Sequence, residues 1–212
     1  LRAGQIVADV CSVKEGPAAL MRRLLPEGVE ILATHPMFGP QSMPGSLAGG
    51  RIVICPLRGR RWRRIAAFLR GVLGLRVILT TPEDHDRLVA TVSHVPHLTA
   101  VTLMGLASQR AEHDAALLRL AAGGFRDMTR IAAGDADIWI DICDDNRAAI
   151  LDVLDDLIAR LGAMRDVVDR GDGPSLGEQL LAAQEARRNL PTGAPPAEEL
   201  SEVRVAIPDQ PG

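Results

Sequence analysis

Two hydrophobic rhythms divide this chain, and the switch falls at T-T-P-E-D, Thr80 to Asp84. Before it, short apolar runs alternate with helical stretches: Ile6 to Val10, Pro17 to Leu25, Val29 to Ala33, Arg51 to Cys55, Trp62 to Leu73 and Leu75 to Leu79. Strands separated by helices predict a mainly parallel sheet, about half of a doubly wound fold. After the switch, Thr81 is placed to N-cap a helix with Pro82 at its first position, and apolar residues recur at helical spacing. Ile150, Leu154, Leu157, Leu161, Met164 and Val168 step by four and three, which predicts one helix from Asp144 to Asp169. Such a rod is about 40 Å long at 1.5 Å per residue and needs a partner along its whole stripe. The expectation is therefore α/β followed by all-α, the helical part shared between two subunits. Residues 1–80 form the first domain, 81–190 the second, and 191–212 a Pro-rich linker (L-P-T-G-A-P-P-A-E-E) followed by one alternating strand.

With 212 residues and 47% hydrophobic content, the chain has enough apolar surface for a substantial core. A net charge of −3 gives no general attraction to nucleic acid or to an anionic membrane. The one basic cluster, R-G-R-R-W-R-R from Arg58 to Arg64, reads as a solvated helix start rather than a phosphate site. Cys11, Cys55 and Cys143 lack C-x-x-C spacing, so reduced thiols in a cytoplasmic protein are expected. No basic-then-apolar stretch opens the given residues, and no apolar run approaches the roughly 20 residues that span a bilayer. The chain enters a strand almost at once and closes on another, so truncation at both ends is expected.

Chemistry-bearing residues fall at strand ends and in three short motifs. A-T-H-P-M-F-G-P, Ala33 to Pro40, places His35 on a proline-stiffened backbone at a strand's carboxyl end, where open α/β sheets bind ligands. D-V-C-S-V-K, Asp9 to Lys14, ends the preceding strand, so Ser12 and His35 emerge at one edge. Ser12 also suits a helix N-cap, a role compatible with orienting an imidazole. S-H-V-P-H sets His94 and His97 three apart around Pro96, one a satisfied core histidine and the other facing a pocket. Zinc would need a cysteine or acidic partner at supporting spacing, and none occurs. G-G-F-R-D-M-T-R-I-A, Gly123 to Ala132, offers Arg130 for bidentate carboxylate recognition and Arg126 with Asp127 as a local ion pair.

Taken in order, D-V-C-S-V-K, T-H-P-M-F-G-P, E-D-H-D with S-H-V-P-H, G-G-F-R-D-M-T-R-I-A and I-W-I-D-I resemble the prephenate and arogenate dehydrogenase family of tyrosine biosynthesis, from Asp9 to about Arg188. The resemblance implies the C-terminal half of a Rossmann domain plus a helical dimerisation domain. It implies NAD(P)-dependent oxidative decarboxylation of prephenate or arogenate by a homodimer. His35 matches the family's catalytic histidine, which accepts the 4-hydroxyl proton as hydride leaves, and Ser12 the serine that positions it. Arg130 and His97 match substrate-binding positions, with Gln41, Asp127 and Trp139 near the same site. Ser12 and Pro36 fall beside the cofactor, which is NAD or NADP.

Departures accompany the match. Gln41 stands where many relatives carry an acid, and no G-x-G-x-x-G occurs, so the chain alone is expected neither to bind a dinucleotide nor to turn over. V-R-V-A-I-P-D-Q-P-G resembles the opening of an ACT regulatory domain. Two rivals use the same residues: a 4-amino-4-deoxyprephenate dehydrogenase of an antibiotic pathway, and a non-catalytic dimerisation or regulatory module.

Overall fold

The computed structural model describes residues 1–38, 47–114 and 116–191. Gln41 and the linker and ACT-like strand beyond Pro191 lie outside them. The chain divides into two compact units, Leu1–Gly162 and Ala163–Gly212.

The first unit opens with a four-stranded sheet in the order β1-β2-β3-β4: β1 Ile6–Ala8, β2 Glu30–Pro36, β3 Arg51–Arg58 and β4 Arg76–Leu79. Helix α1 (Glu15–Leu24) joins β1 to β2, and α2 (Trp62–Gly71) joins β3 to β4. Each of these crossovers links a parallel pair. β2 and β3 run antiparallel, with His35 opposite Val53, so the mainly parallel sheet carries one antiparallel pairing at its centre. An apolar run encodes burial on two faces but not the direction of its neighbour.

Alternation along the central strands divides the core. Leu32 and Ile54 pack with Ala66, Ile65 and Leu69 of α2, while Ala33, Val53 and Cys55 pack with Met21 of α1 on the opposite face. Two arginines of the basic cluster serve this architecture. Arg58 donates to the carbonyls of Arg22 (3.2 Å) and Leu25 (3.2 Å) at the C-terminus of α1, and Arg61 Nε donates to Glu30 Oε1 at 2.8 Å. Between them Gly59 turns with φ +92°, where a side chain would also collide with Glu30.

Thr81 caps α3 (Pro82–Val89) as its sequence foretells, its Oγ1 accepting from Asp84 N–H at 3.1 Å. The axis continues through one π turn, Ala90–His94, into α4 (Val95–Ala111), with Pro96 in the first turn of α4. This continuous helix, Pro82–Ala111, is long enough to cross a membrane, with a mean hydropathy of 1.2 over its most apolar window. Its buried His85, Asp86, His94 and His97 mark it instead as a helix packed against protein.

Short helices follow: a 3₁₀ turn Leu117–Leu120, α5 (Gly123–Thr129), a 3₁₀ turn Arg130–Ala133 and α6 (Ala136–Asp145). The long rod α7 runs Arg147–Asp169, and Asn146 separates it from α6. The predicted helix from Asp144 therefore begins three residues late. Val13, Ala90, Val95, Ile142 and Ile150 form the core here, flanked by Trp139, Leu154 and Leu157.

In the second unit, α8 (Gly173–Arg188) starts at Asp172, whose carboxylate accepts from Ser175 N–H at 3.1 Å. Gly171, at φ +64°, makes the turn before it.

Candidate active site

β1 and β2 are parallel, Ala8 opposite Leu32, so both strands leave the sheet at one edge. Lys14 is fully buried there, rare for a lysine, because its ammonium is bound on two sides. Nζ donates to the Thr34 carbonyl at 2.6 Å and pairs with the Asp9 carboxylate, while Thr34 Oγ1 donates to the Asp9 carbonyl. These bonds stitch the exits of β1 and β2 together.

His35 shares a face of β2 with Ala33, the face covered by α1, and α1 packs against α3. From α3 comes His85, whose Nε2 lies 2.9 Å from His35 Nδ1, the two rings edge-on at 70°. His85 Nδ1 lies 2.6 Å from Asp86 Oδ1. Asp86 also accepts the backbone N–H groups of Lys14 (2.8 and 3.1 Å) and Glu15 (2.8 Å). The start of α1 is therefore capped by a carboxylate 72 residues away, and Ser12 is not its N-cap.

Burial, reinforced by His85, Lys14 and His94, pushes His35 down to about 4, so at neutral pH it is an uncharged imidazole with a lone pair available. Burial alone would raise Asp86. Hydrogen bonds from His85 and from the Glu15 and Lys14 N–H groups outweigh it and hold the carboxyl below its ordinary range.

A second cluster adjoins the first. Asn146, between α6 and α7, donates through Nδ2 to the Asp86 carbonyl at 2.8 Å and lies 3.1 Å from His94 Nδ1. Burial pushes His94 down to about 4. His97 stacks on Trp139 with ring centroids 3.5 Å apart, and His94 meets the same indole edge-on at 6.1 Å. A Cβ at Gly134 would lie 2.8 Å from Trp139 Nε1 and 3.0 Å from His97 Cε1, so the stack requires a glycine there. His94 is thus the satisfied core histidine of S-H-V-P-H, and His97 the one held by an aromatic face.

The structure brings His35, His97 and Trp139 into this chain of contacts, and sets half-buried Ser12 just beyond β1 and Pro36 at the end of β2. The Ser12 hydroxyl makes no protein hydrogen bond among the described residues. A hydroxyl at the carboxyl ends of two parallel strands would be available there to the polar ring edge of a nicotinamide. Arg130 and Asp127 are exposed, in the 3₁₀ turn and in α5, which pack on α4. Among the described residues neither bonds to the histidine network. The expected Arg126–Asp127 pair does not form; Arg126 Nε donates to the Ala121 carbonyl at 3.1 Å. Sequence reasoning passed over Lys14, His85, Asp86 and Asn146 as working residues, although E-D-H-D carries the first signal of the His-Asp pair.

An apolar groove of about 570 Å³ lies elsewhere, along α4 and α7, walled by Val95, Leu103, Met128, Ile131, Val153 and Leu157. It contains none of the histidines, and the titratable chemistry lies at the sheet edge instead.

Residues 1–92 match the family model "Prephenate dehydrogenase, nucleotide-binding domain", and residues 81–182 match "Prephenate dehydrogenase, dimerization domain". The cyclohexadienyl dehydrogenase of Zymomonas mobilis is 32% identical over 201 residues, covering 91% of this chain and 68% of its own length. The chain belongs to the prephenate dehydrogenase family. Another member, the prephenate dehydrogenase of Bacillus subtilis, is 29% identical over 221 residues, with 98% of this chain and 58% of that protein covered. A crystal structure of the prephenate dehydrogenase from A. aeolicus, in complex with hydroxyphenyl propionate and NAD+, superposes with a TM-score of 0.78 at 23% identity. It covers 89% of this chain and 68% of that one, and shares the family's fold of a sheet followed by helices.

Proposed function

We propose that this chain serves an NAD(P)-dependent dehydrogenase that oxidatively decarboxylates prephenate or arogenate, with His35 accepting the proton of the ring 4-hydroxyl. The observation that carries the reading is a neutral imidazole pinned at the carboxyl edge of a nucleotide-binding sheet. Proton transfer needs an unprotonated base within reach of the hydroxyl, and His35 is unprotonated throughout the neutral range.

Each group has a distinct task. Ser12 orients the hydroxyl and imidazole, and Ser12 with Pro36 borders the cofactor. The nicotinamide, when bound, supplies the hydride acceptor. His97, held flat on Trp139, lines the substrate site with Asp127 and Gln41, and Arg130 pairs with a substrate carboxylate, since a dianion needs a guanidinium or its equivalent. Nucleotide binding belongs to residues 1–80 and substrate enclosure and dimerisation to 81–190, in a homodimer. The free Cys11, Cys55 and Cys143 suit a reducing cytoplasm.

Incubating full-length protein with NAD or NADP and, separately, prephenate, arogenate and 4-amino-4-deoxyprephenate tests the reading. We expect reduced cofactor and carbon dioxide in equal amounts with prephenate or arogenate. Turnover of the amino analogue alone would move the enzyme to another pathway, and turnover of none would overturn the assignment. Arg130→Gln should weaken substrate binding by about 1.5–3 kcal/mol, the worth of a charged hydrogen bond, roughly 10- to 150-fold in affinity. An analogue lacking the carboxylate should bind both proteins alike; equal losses for both ligands would assign Arg130 a structural role.

A further inference from the structure

The hydrogen-bond chain from Asp86 through His85 to His35 has a direction, and its far end sets that direction. An ionised carboxylate only accepts, and Asp86 already accepts from the Lys14 and Glu15 N–H groups. Its 2.6 Å contact with His85 Nδ1 is therefore donated by His85. Where that is the one ring proton of His85, Nε2 holds its lone pair and the 2.9 Å contact with His35 is donated by His35 Nδ1–H. The reverse direction would require either a His85 carrying both ring protons or a protonated Asp86, and the latter would weaken the carboxylate's hold on the Lys14 and Glu15 N–H groups at the start of α1. Asn146 and His94 do not interrupt the chain, because Asn146 bonds the Asp86 backbone carbonyl and leaves the carboxylate to His85 and α1.

We propose that Asp86 and His85 are positioning residues that hold His35 in the Nδ1–H tautomer, so that Nε2 is the atom that takes the substrate's proton. Free imidazoles favour the opposite tautomer, so this state has to be imposed by its neighbours. The tautomer stands on the hydrogen-bond chain alone; its use in catalysis rests on the proposed dehydrogenase reaction. There the hydroxyl O–H bond breaks, an N–H bond forms at His35 Nε2, and the oxygen's electron pair becomes the carbonyl π bond as hydride passes to the nicotinamide cofactor. The imidazolium so formed donates its Nδ1–H to His85 and, through His85, is stabilised by the Asp86 carboxylate. Lys14, whose ammonium is paired with Asp9, neutral His94, Glu15 and Cys55 are the other titratable groups that act on this chain.

Nitrogen-15 spectra of the histidine-labelled, unliganded full chain at pH 7.5 read the tautomers without any turnover. The expected result is a protonated Nδ1 and a bare Nε2 at His35. In Asp86→Asn the carboxamide oxygen can still cap α1 while its NH₂ group donates to His85 Nδ1, which reverses the chain and moves the His35 proton to Nε2. In His85→Gln the amide oxygen replaces the acceptor, and Nδ1–H is retained. Turnover of full-length protein should follow: kcat falls by about 10²–10⁴ in Asp86→Asn with KM little changed, and is largely kept in His85→Gln. Should Asp86→Asn not fold, His85→Leu, which offers no acceptor, should release His35 to the ordinary tautomer. A wild-type His35 protonated at Nε2, or a tautomer unmoved by these variants, would overturn the proposal. Correct tautomers in a protein with no dehydrogenase activity would instead sink the reaction and leave the hydrogen-bond chain intact.

Discussion

His35 and His94 are held neutral in the fold, and that makes the fold acid-sensitive. Both titrate near 6.5 in an unfolded chain and at about 4 when folded. Below pH 6.5 the unfolded state binds protons that the folded state refuses, so stability is present above that value and is lost as pH falls toward 4. Asp86, also lowered, adds a loss of the same sign at more acid pH. Each histidine contributes at most about 1.4 kcal/mol per pH unit within the window, less for partly exposed His35. The urea midpoint should therefore drop between pH 7.5 and pH 5; an equal or higher midpoint at pH 5 would contradict the buried neutral state. At this scale His35 was readable because a strand end followed by His-Pro is a local pattern. Its partner His85 lies 50 residues away and the carboxylate that caps α1 lies 72 residues from Lys14, so neither the relay nor the loss of Ser12's capping role is visible in any short window. Lys14 shows the same limit, since only the paired Asp9 and Thr34 carbonyl make a buried ammonium tolerable.

Elements fared according to how local their signals are. The Thr81 cap, Pro82 and the crossover helices are written in a few consecutive residues and form where expected. The antiparallel direction of β3 and the break at Asn146 depend on distant partners, respectively β2 and the Asp86–His94 pair. The stripe on α7 is only partly used within one chain. Ile150 is 4% exposed, Leu157 packs on the protomer's core, and Leu161 is 58% exposed. Ile158, at 64% exposure, lies off the protomer's core on the same helix, within the region matching a dimerization domain. Ile158→Asp should therefore dissociate a homodimer while sparing the protomer's fold, because the charge is costly only where a second subunit would bury it. Sedimentation together with circular dichroism checks this. A variant as dimeric as wild type would place the interface elsewhere, and a wild-type monomer at micromolar concentration would remove it.

On the scale of the whole molecule, a sheet edge carries the proposed base and a helical region carries the groups bonded to it. β2 carries His35, and α3 carries both His85 and Asp86, so the α/β and helical parts meet through hydrogen bonds between the very groups assigned to proton transfer. Asp86 couples them further by capping α1 of the sheet region. The order of motifs along the chain announced this architecture, since each piece falls at a strand end or a helix start. The three-dimensional chain Asp86–His85–His35 emerges only when α3 is folded onto α1. The most direct test of the account is the turnover of full-length His35→Asn with NAD(P) and prephenate or arogenate. Loss of the base should lower kcat by about 10²–10⁴ while cofactor affinity stays nearly unchanged; a kcat within threefold of wild type would remove His35 from the reaction.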